Sequence, residues 1–288
     1  MSILAVENLS HIYGAGLPGS KTAINNISFS LEKGEVLGVV GHTGSGKSTL
    51  VTHLNGLMKP TDGRILLDGT DIWENPKEIK KIRSRVGLVF QYPEYQLFEE
   101  TVYKDISFGP ANAGIEGDEL DNIVRESARL MHISDDLLYK SPFDLSGGEK
   151  RRVAIAGVLA MRPEIVVFDE PTAGLDPIGR ETVFSAIKDY KEKYDATVII
   201  VSHSMEDIAA YTDKVLVLSG GKTVKFDTTR NVFSDYETLK SIGLGTPIIS
   251  QVFIKLQELC PKFEAFPLTV NEAVSLLTDY MRKGDANA

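Results

Sequence analysis

Cysteine is nearly absent from this 288-residue chain: Cys260 is the only one. A lone thiol with no cluster of ligating neighbours forms neither an internal disulfide nor a metal knot, so Cys260 reads as a buried or idle thiol suited to a reducing compartment. Long apolar runs are missing too. Nothing approaches the roughly 20 residues that cross a bilayer, and Ile165 to Phe168 and Thr197 to Val201 have the length of buried strands. The opening Met1 to Glu7 reaches a charge too early for a secretory leader and has no basic start. An excess of positive charge is also lacking: 31 basic against 40 acidic residues leave a net charge of −9. That balance disfavours a broad contact with a phosphate backbone, and hence nucleic acid as partner. No internal repeat, low-complexity tract or coiled-coil heptad is present. With 42% hydrophobic and 25% charged residues, the chain has the makings of a packed core with an appendage. Any membrane role must come through a partner.

Short apolar stretches alternate with turn signals over the first forty residues: Ile3 to Val6, Ile24 to Leu31, and Glu35 to Val40. The last runs straight into a glycine loop, after which Ser48 to Leu57 reads as a helix. From Ile79 to Gly114 the chain looks irregular, with Pro93 and Pro110, and a helical stretch follows from about Glu119 to Met131. The middle third thus reads as a mostly helical lobe inserted into a nucleotide-binding core. Ile165 to Phe168 and Thr197 to Val201 flank a helix of about Ile178 to Tyr194, a βαβ order that implies a parallel sheet. Near the end, Thr246-Pro247 reads as a helix cap ahead of Ile248, Ile249, Val252, Phe253, Leu256 and Leu259 on one face. Thr269 and Glu272 form a second cap signature ahead of Ala273, Val274, Leu277 and Met281. These two amphipathic helices must cover an apolar surface, on the main body or on another subunit.

Gly41, His42, Thr43, Gly44, Ser45, Gly46, Lys47, Ser48 and Thr49 hold the spacing G-x-x-x-x-G-K-[ST] between a strand and a helix. There the glycines let backbone N–H groups converge on phosphate oxygens. Lys47 would neutralise the outer phosphates and Ser48 would offer a hydroxyl oxygen to Mg²⁺. Ile165 to Phe168 ends in Asp169 and Glu170, two acids at the tip of a buried strand. Asp169 would serve the metal or its bound water, and Glu170 would polarise the attacking water. His203, just past another strand, could hold that water in line with the γ-phosphate. Gln91, at the end of Val89-Phe90, could reach the metal or the water. About a hundred residues after the loop stands Leu145-Ser146-Gly147-Gly148-Glu149.

Together these phrases resemble the ATPase subunits of ABC transporters over about residues 3 to 230. The resemblance implies that Tyr13 stacks on adenine and that Gln91 is the Q-loop glutamine. Leu145 to Glu149 resembles the signature motif, Ala173-Gly174-Leu175-Asp176 the D-loop, and His203 the switch histidine. It also implies two subunits stacked head to tail, with Ser146, Gly147 and Gly148 reaching ATP on the partner's phosphate loop. Phe90 to Val102 and Asp105 to Pro110 resemble the energy-coupling-factor branch, which takes up vitamins and metals. The wording around Gly41 and His53 to Leu57 looks like the second ATPase of its pair, the EcfA-prime type. In that branch a transmembrane scaffold sends basic coupling helices beside the Q-loop, where Glu94, Glu99 and Glu100 would meet them.

One departure stands out: the fifth signature position is Glu149, not glutamine, placing an anion near the partner's ATP. The expected fold is α/β: a P-loop NTPase core of the ABC ATPase type with a mixed sheet (1–230), an inserted helical subdomain (about 92–160) and a small C-terminal helical domain (231–288). The expected function is ATP hydrolysis with Mg²⁺. It would power an importer, at the cytoplasmic face of the cell membrane, together with a second ATPase, a transmembrane scaffold and a small substrate-binding membrane protein. A soluble ABC ATPase acting on nucleic acid or the ribosome is the alternative, and a non-hydrolysing regulatory subunit a third.

Overall fold

A computed structural model describes residues 2–259 and 265–285, which leaves Cys260 outside the described residues. The chain opens with β1 (Ser2–Tyr13) and β2 (Lys21–Glu32), an antiparallel pair, then β3 (Val36–Val40) and α1 (Lys47–Leu54) around the glycine loop. β4 (Asp62–Leu67) and β5 (Thr70–Asp71) complete a four-stranded sheet in the order β2-β1-β4-β5. The span expected to be irregular is instead ordered as α2 (Ile79–Arg85), β6 (Val86–Val89) and α3 (Val102–Asn112). Thr101 caps α3 by accepting from Lys104 N–H, and Pro110, which has no N–H to donate, lies in its last turn, just before the helix ends at Asn112. α4 (Gly117–Leu130) and α5 (Gly147–Leu159) pack with α3 as the helical lobe.

β7 (Ile165–Asp169), α6 (Pro177–Tyr194), β8 (Thr197–Val201), α7 (Met205–Tyr211), β9 (Lys214–Ser219) and β10 (Lys222–Thr228) follow. They join β3 and β6 in a six-stranded sheet of order β10-β9-β3-β8-β7-β6, parallel except at β10. Its central strands read as unbroken hydrophobic runs because both faces are covered. Val198 and Ile200 point into the core shared with the helices, while Ile199 and Val201 point into the core shared with the other sheet. Val166 and Phe168 alternate with Ile165 and Val167 in the same way.

The last helices are α8 (Thr229–Ser234), α9 (Tyr236–Ser241), α10 (Ile248–Leu259) and α11 (Val270–Asp285). Val232, Phe233, Leu239 and Leu244 bury in the main core, so the body's packing runs past residue 231, and a separate small cluster around Phe253 and Ala273 begins only with α10. The expected Thr246 cap does not form: its hydroxyl is buried without a hydrogen-bond partner. The Ile248 N–H is instead taken by Glu206. Thr269 does accept from Glu272 N–H, while the Glu272 carboxylate returns to Leu268 N–H and to Arg230. Ile248, Val252, Leu259, Val274 and Met281 stay exposed. Among the described residues no helix is long and apolar enough to cross a membrane.

Candidate functional site

β3, β8, β7 and β6 are neighbours running the same way, so their carboxyl ends open along one sheet edge. That edge receives, in turn, the glycine loop, His203, the Asp169-Glu170 pair and Gln91. The result is a cleft of about 370 Å³ lined by Tyr13, Thr43, Gly44, Gly46, Lys47, Ser48 and Thr49 from the first third of the chain. Gln91, Asp169, Glu170 and His203 line its other wall. Only glycine fits the loop's two tightest points. A Cβ on Gly41 would stand 2.4 Å from Leu218 O, and one on Gly46, at φ 103°, would stand 2.8 Å from Ala23 O. α1 starts without a side-chain cap, leaving first-turn N–H groups facing the cleft. Lys47 Nζ donates to Gly41 O at 2.6 Å and to His42 O at 3.1 Å. Burial lowers its pKa, while Glu170 and Asp169 oppose that shift. The Ser45 hydroxyl is buried without a partner in the same loop.

Opposite the loop, burial raises the pKa of Asp169, against hydrogen bonding from Ser48 and the charge of Lys47. Glu170 is pushed up to about 7, first by burial and then by the adjacent Asp169 charge. Its backbone sits in the left-handed region (φ 54°), which aims a non-glycine side chain sharply off the strand. His203 Nε2 is 3.5 Å from Glu170 Oε1, an oxygen with no hydrogen bond. Burial, and then Lys47, lowers the pKa of the His203 imidazole. Tyr13 stands at the rim with its hydroxyl 3.3 Å from Thr49 Oγ1 and its ring against the edge of His11.

Ser146, Gly147 and Gly148, read from sequence as reaching a partner's nucleotide, and Asp176 do not line this cleft. Ser146, Gly147 and Asp176 lie exposed elsewhere, Gly148 half-buried beside them. Asp176 caps α6 by accepting from Gly179 N–H at 2.7 Å. Ser146 caps α5 in a capping box, its hydroxyl 2.6 Å from Glu149 Oε2, which also accepts the Ser146 backbone N–H at 2.9 Å. Glu149 is therefore engaged within its own helix turn, and the nearby charge of Arg152 also favours its ionised form. The expectation that Glu94 offers a free carboxylate is corrected: both its oxygens accept from the buried Arg151, at 3.0 and 2.7 Å. Glu100 pairs with Lys104 at 2.7 Å on the surface, and Glu99 is half-buried. Lys21, Thr22 and Ala23 also line the cleft and were not anticipated. The register that sets Tyr13 opposite Lys21 in the β1–β2 pair is the signal that places them.

The ABC transporter family model matches residues 24–173. Over 97% of this chain and 99% of its own length, the energy-coupling factor transporter ATP-binding protein EcfA2 of Acetivibrio thermocellus is 50% identical. The chain belongs to the ATP-binding subunits of energy-coupling factor transporters, within the ABC transporter family. EcfA2 of Caldanaerobacter subterraneus is 49% identical over 97% of this chain and 98% of that protein. Among solved structures, cbiO1 of Clostridium perfringens, titled part of the ABC transporter complex cbiONQ, superposes with a TM-score of 0.75. It is 37% identical, covering 88% of this chain and 99% of its own. The ABC cassette MJ0796, titled as a dimer, superposes at 0.71 with 27% identity, covering 79% of this chain and 99% of its own. As an energy-coupling factor ATPase the chain binds and hydrolyses ATP to drive transport, and the α/β P-loop fold expected from its motifs is the one observed.

Proposed function

We propose that the cleft between the glycine loop and Asp169-Glu170 holds Mg²⁺·ATP, and that Glu170 is the general base of hydrolysis. The observation that supports this most directly is the Glu170 carboxyl, raised to about 7 beside Lys47 and Asp169 in one cleft. A base poised near the working pH accepts a proton without being locked in either state. Backbone N–H groups of 43–48 cradle the phosphates, Lys47 neutralises them, and Tyr13 stacks on the adenine. His203 and Gln91 hold the attacking water in line for Glu170. Ser48, Asp169 and Gln91 would hold Mg²⁺, a fit supported by the Ser48–Asp169 hydrogen bond and by oxygen donors of the kind that ion prefers. When bound, the ion would neutralise charge between the outer phosphates.

Ser146, Gly147 and Asp176 are exposed, and with Gly148 they lie outside this cleft; we read them as completing the site of a second ATPase subunit, which in turn completes this one. The exposed apolar faces of α10 and α11 offer that pair additional contact area. Closure on two nucleotides and release after hydrolysis drive a transmembrane scaffold seated beside 91–100, with a small membrane protein selecting a vitamin or other micronutrient. The chain then sits peripherally on the cytoplasmic face of the membrane and uses no nucleic acid. Affinity purification from native membranes tests the whole reading. A second ATPase and a membrane scaffold should co-purify, with turnover lost on Glu170→Gln; recovery of ribosomes or DNA instead would overturn it.

A further inference from the structure

The segment that joins the body to the C-terminal helices touches the phosphate loop and the start of α7, the helix that follows His203. α9 closes on a left-handed glycine, Gly243 (φ 74°), with Gly243 N–H donating to Lys240 O and Leu244 N–H to Leu239 O, each at 2.9 Å. That closure satisfies two helix-end carbonyls and leaves the Ile242 carbonyl pointing outward. His42, inside the phosphate loop, donates from Nε2 to Ile242 O at 2.6 Å. A Cβ on Gly243 would lie 3.0 Å from that nitrogen, so the ring sits against bare backbone. At the far end of the same connector, Ile248 N–H donates to Glu206 Oε1 at 3.2 Å. Glu206 lies in the first turn of α7, three residues after His203.

His42 is also the pivot of the loop itself. Its carbonyl accepts from Ser45 N–H at 3.0 Å and from Lys47 Nζ at 3.1 Å. A change in the loop as it wraps phosphate oxygens therefore bears on the ring's anchor, and a shift of the anchor bears on the loop. Beyond the connector, α10 is braced to the segment just ahead of α11 by Ser250 Oγ donating to Pro267 O at 2.6 Å, and α11 to the body by Arg230 and Glu272 at 2.6 Å.

We propose that His42 is a positioning residue that ties the phosphate loop to the C-terminal helices, so that Mg²⁺·ATP binding and the seating of 242–259 are energetically linked. The inference rests on the reading of the cleft as the ATP site. Linkage is reciprocal: whatever the seated connector adds to nucleotide affinity, bound nucleotide adds to the connector's stability. One hydrogen bond of this kind amounts to a change of about threefold to tenfold.

The test uses the full-length wild type, His42→Ala and His42→Gln, with Mg²⁺·ATP affinity read by calorimetry and amide hydrogen exchange followed over 242–259 with and without nucleotide. Nucleotide should slow exchange in the wild-type connector. His42→Ala should weaken binding by about threefold to tenfold and abolish that slowing. His42→Gln, whose amide can donate to the same carbonyl, should restore both. Affinity in His42→Ala equal to wild type, protection that persists in it, or a loss that His42→Gln leaves unrepaired would each overturn the tether. Wild-type protein that binds no Mg²⁺·ATP would overturn the cleft reading as well, which separates the two failures.

Discussion

Burial and the neighbouring Asp169 charge hold the Glu170 proton up to about pH 7, and a general base acts only without it. Turnover of the assembled ATPase should therefore climb as pH rises through about 7. Glu170→Gln should lower turnover by roughly 10² to 10⁴ and lose that rise, with ATP binding retained; equal turnover would remove Glu170 from the role. The stability sign runs the other way. A carboxyl with a raised folded-state pKa favours the folded protein fully below its unfolded value, and that contribution is lost as pH climbs to about 7. Glu170→Gln should consequently gain melting temperature relative to wild type at pH 8 but not at pH 4.5. Glu149 carries a second consequence. Hydrogen bonds from Ser146 hold its carboxyl below the usual carboxylate range, so it stays ionised and takes the one proton the Ser146 hydroxyl can give. On the proposed head-to-tail pairing, a phosphate on the partner would compete for that proton. Glu149→Gln should lower the ATP concentration for half-maximal turnover of the assembled pair by about threefold or more, and an unchanged value would show that Ser146 is not the contact.

Arg151, one turn into α5, joins three segments that the chain keeps far apart. It forks onto Glu94, three residues after Gln91, donates to Ala173 O, and lies over the Tyr92 ring at 5.6 Å. It is 3% exposed and Glu94 16%, so the pair is well shielded from solvent. Breaking it from one side should cost about 3 kcal/mol, since a buried charge loses its partner, whereas removing both charges should cost less. Denaturant midpoints of Arg151→Met, Glu94→Leu and the double variant check this, and a double variant no more stable than Arg151→Met would refute it. Nothing in the spacing of Glu94 and Arg151 marks them as partners, because their meeting depends on α5 packing against the turn at Pro93. The caps were more legible. Thr269 and Glu272, read as a cap from their spacing, form one: Thr269 accepts from Glu272 N–H and the Glu272 carboxylate accepts from Leu268 N–H. Thr246 shows the limit of that rule: Glu206, from another element, takes the N–H that its hydroxyl would have served.

On the proposed reading, two separate sets of functional residues lie on one molecule, one in the cleft and one exposed around Ser146 and Asp176, so a lone copy would present half of each site. Ser146→Arg in this chain should leave ATP binding in its own cleft intact while reducing turnover at the site built on the partner's phosphate loop. Binding to the isolated chain and turnover of the assembled pair separate the two effects, and equal turnover would count against the head-to-tail arrangement.

The motifs that bind phosphate and place the acids were readable as text because they are local. A glycine loop works through its own backbone, and an apolar strand ending in Asp169-Glu170 carries its acids wherever the strand goes. Their order along the chain, with the Ser146 phrase between them, was enough to recognise the family and the fold. Packing decided the rest, since each outcome depended on groups distant in sequence. It set the Glu170 proton through burial and Asp169, and it turned Glu94 inward to Arg151. It ordered the span from Ile79 to Asn112 as helix, strand and helix, and it laid His42 against Ile242, two hundred residues away. Side-chain chemistry is written residue by residue, but solvent exclusion and partnership exist only once the chain has folded back on itself.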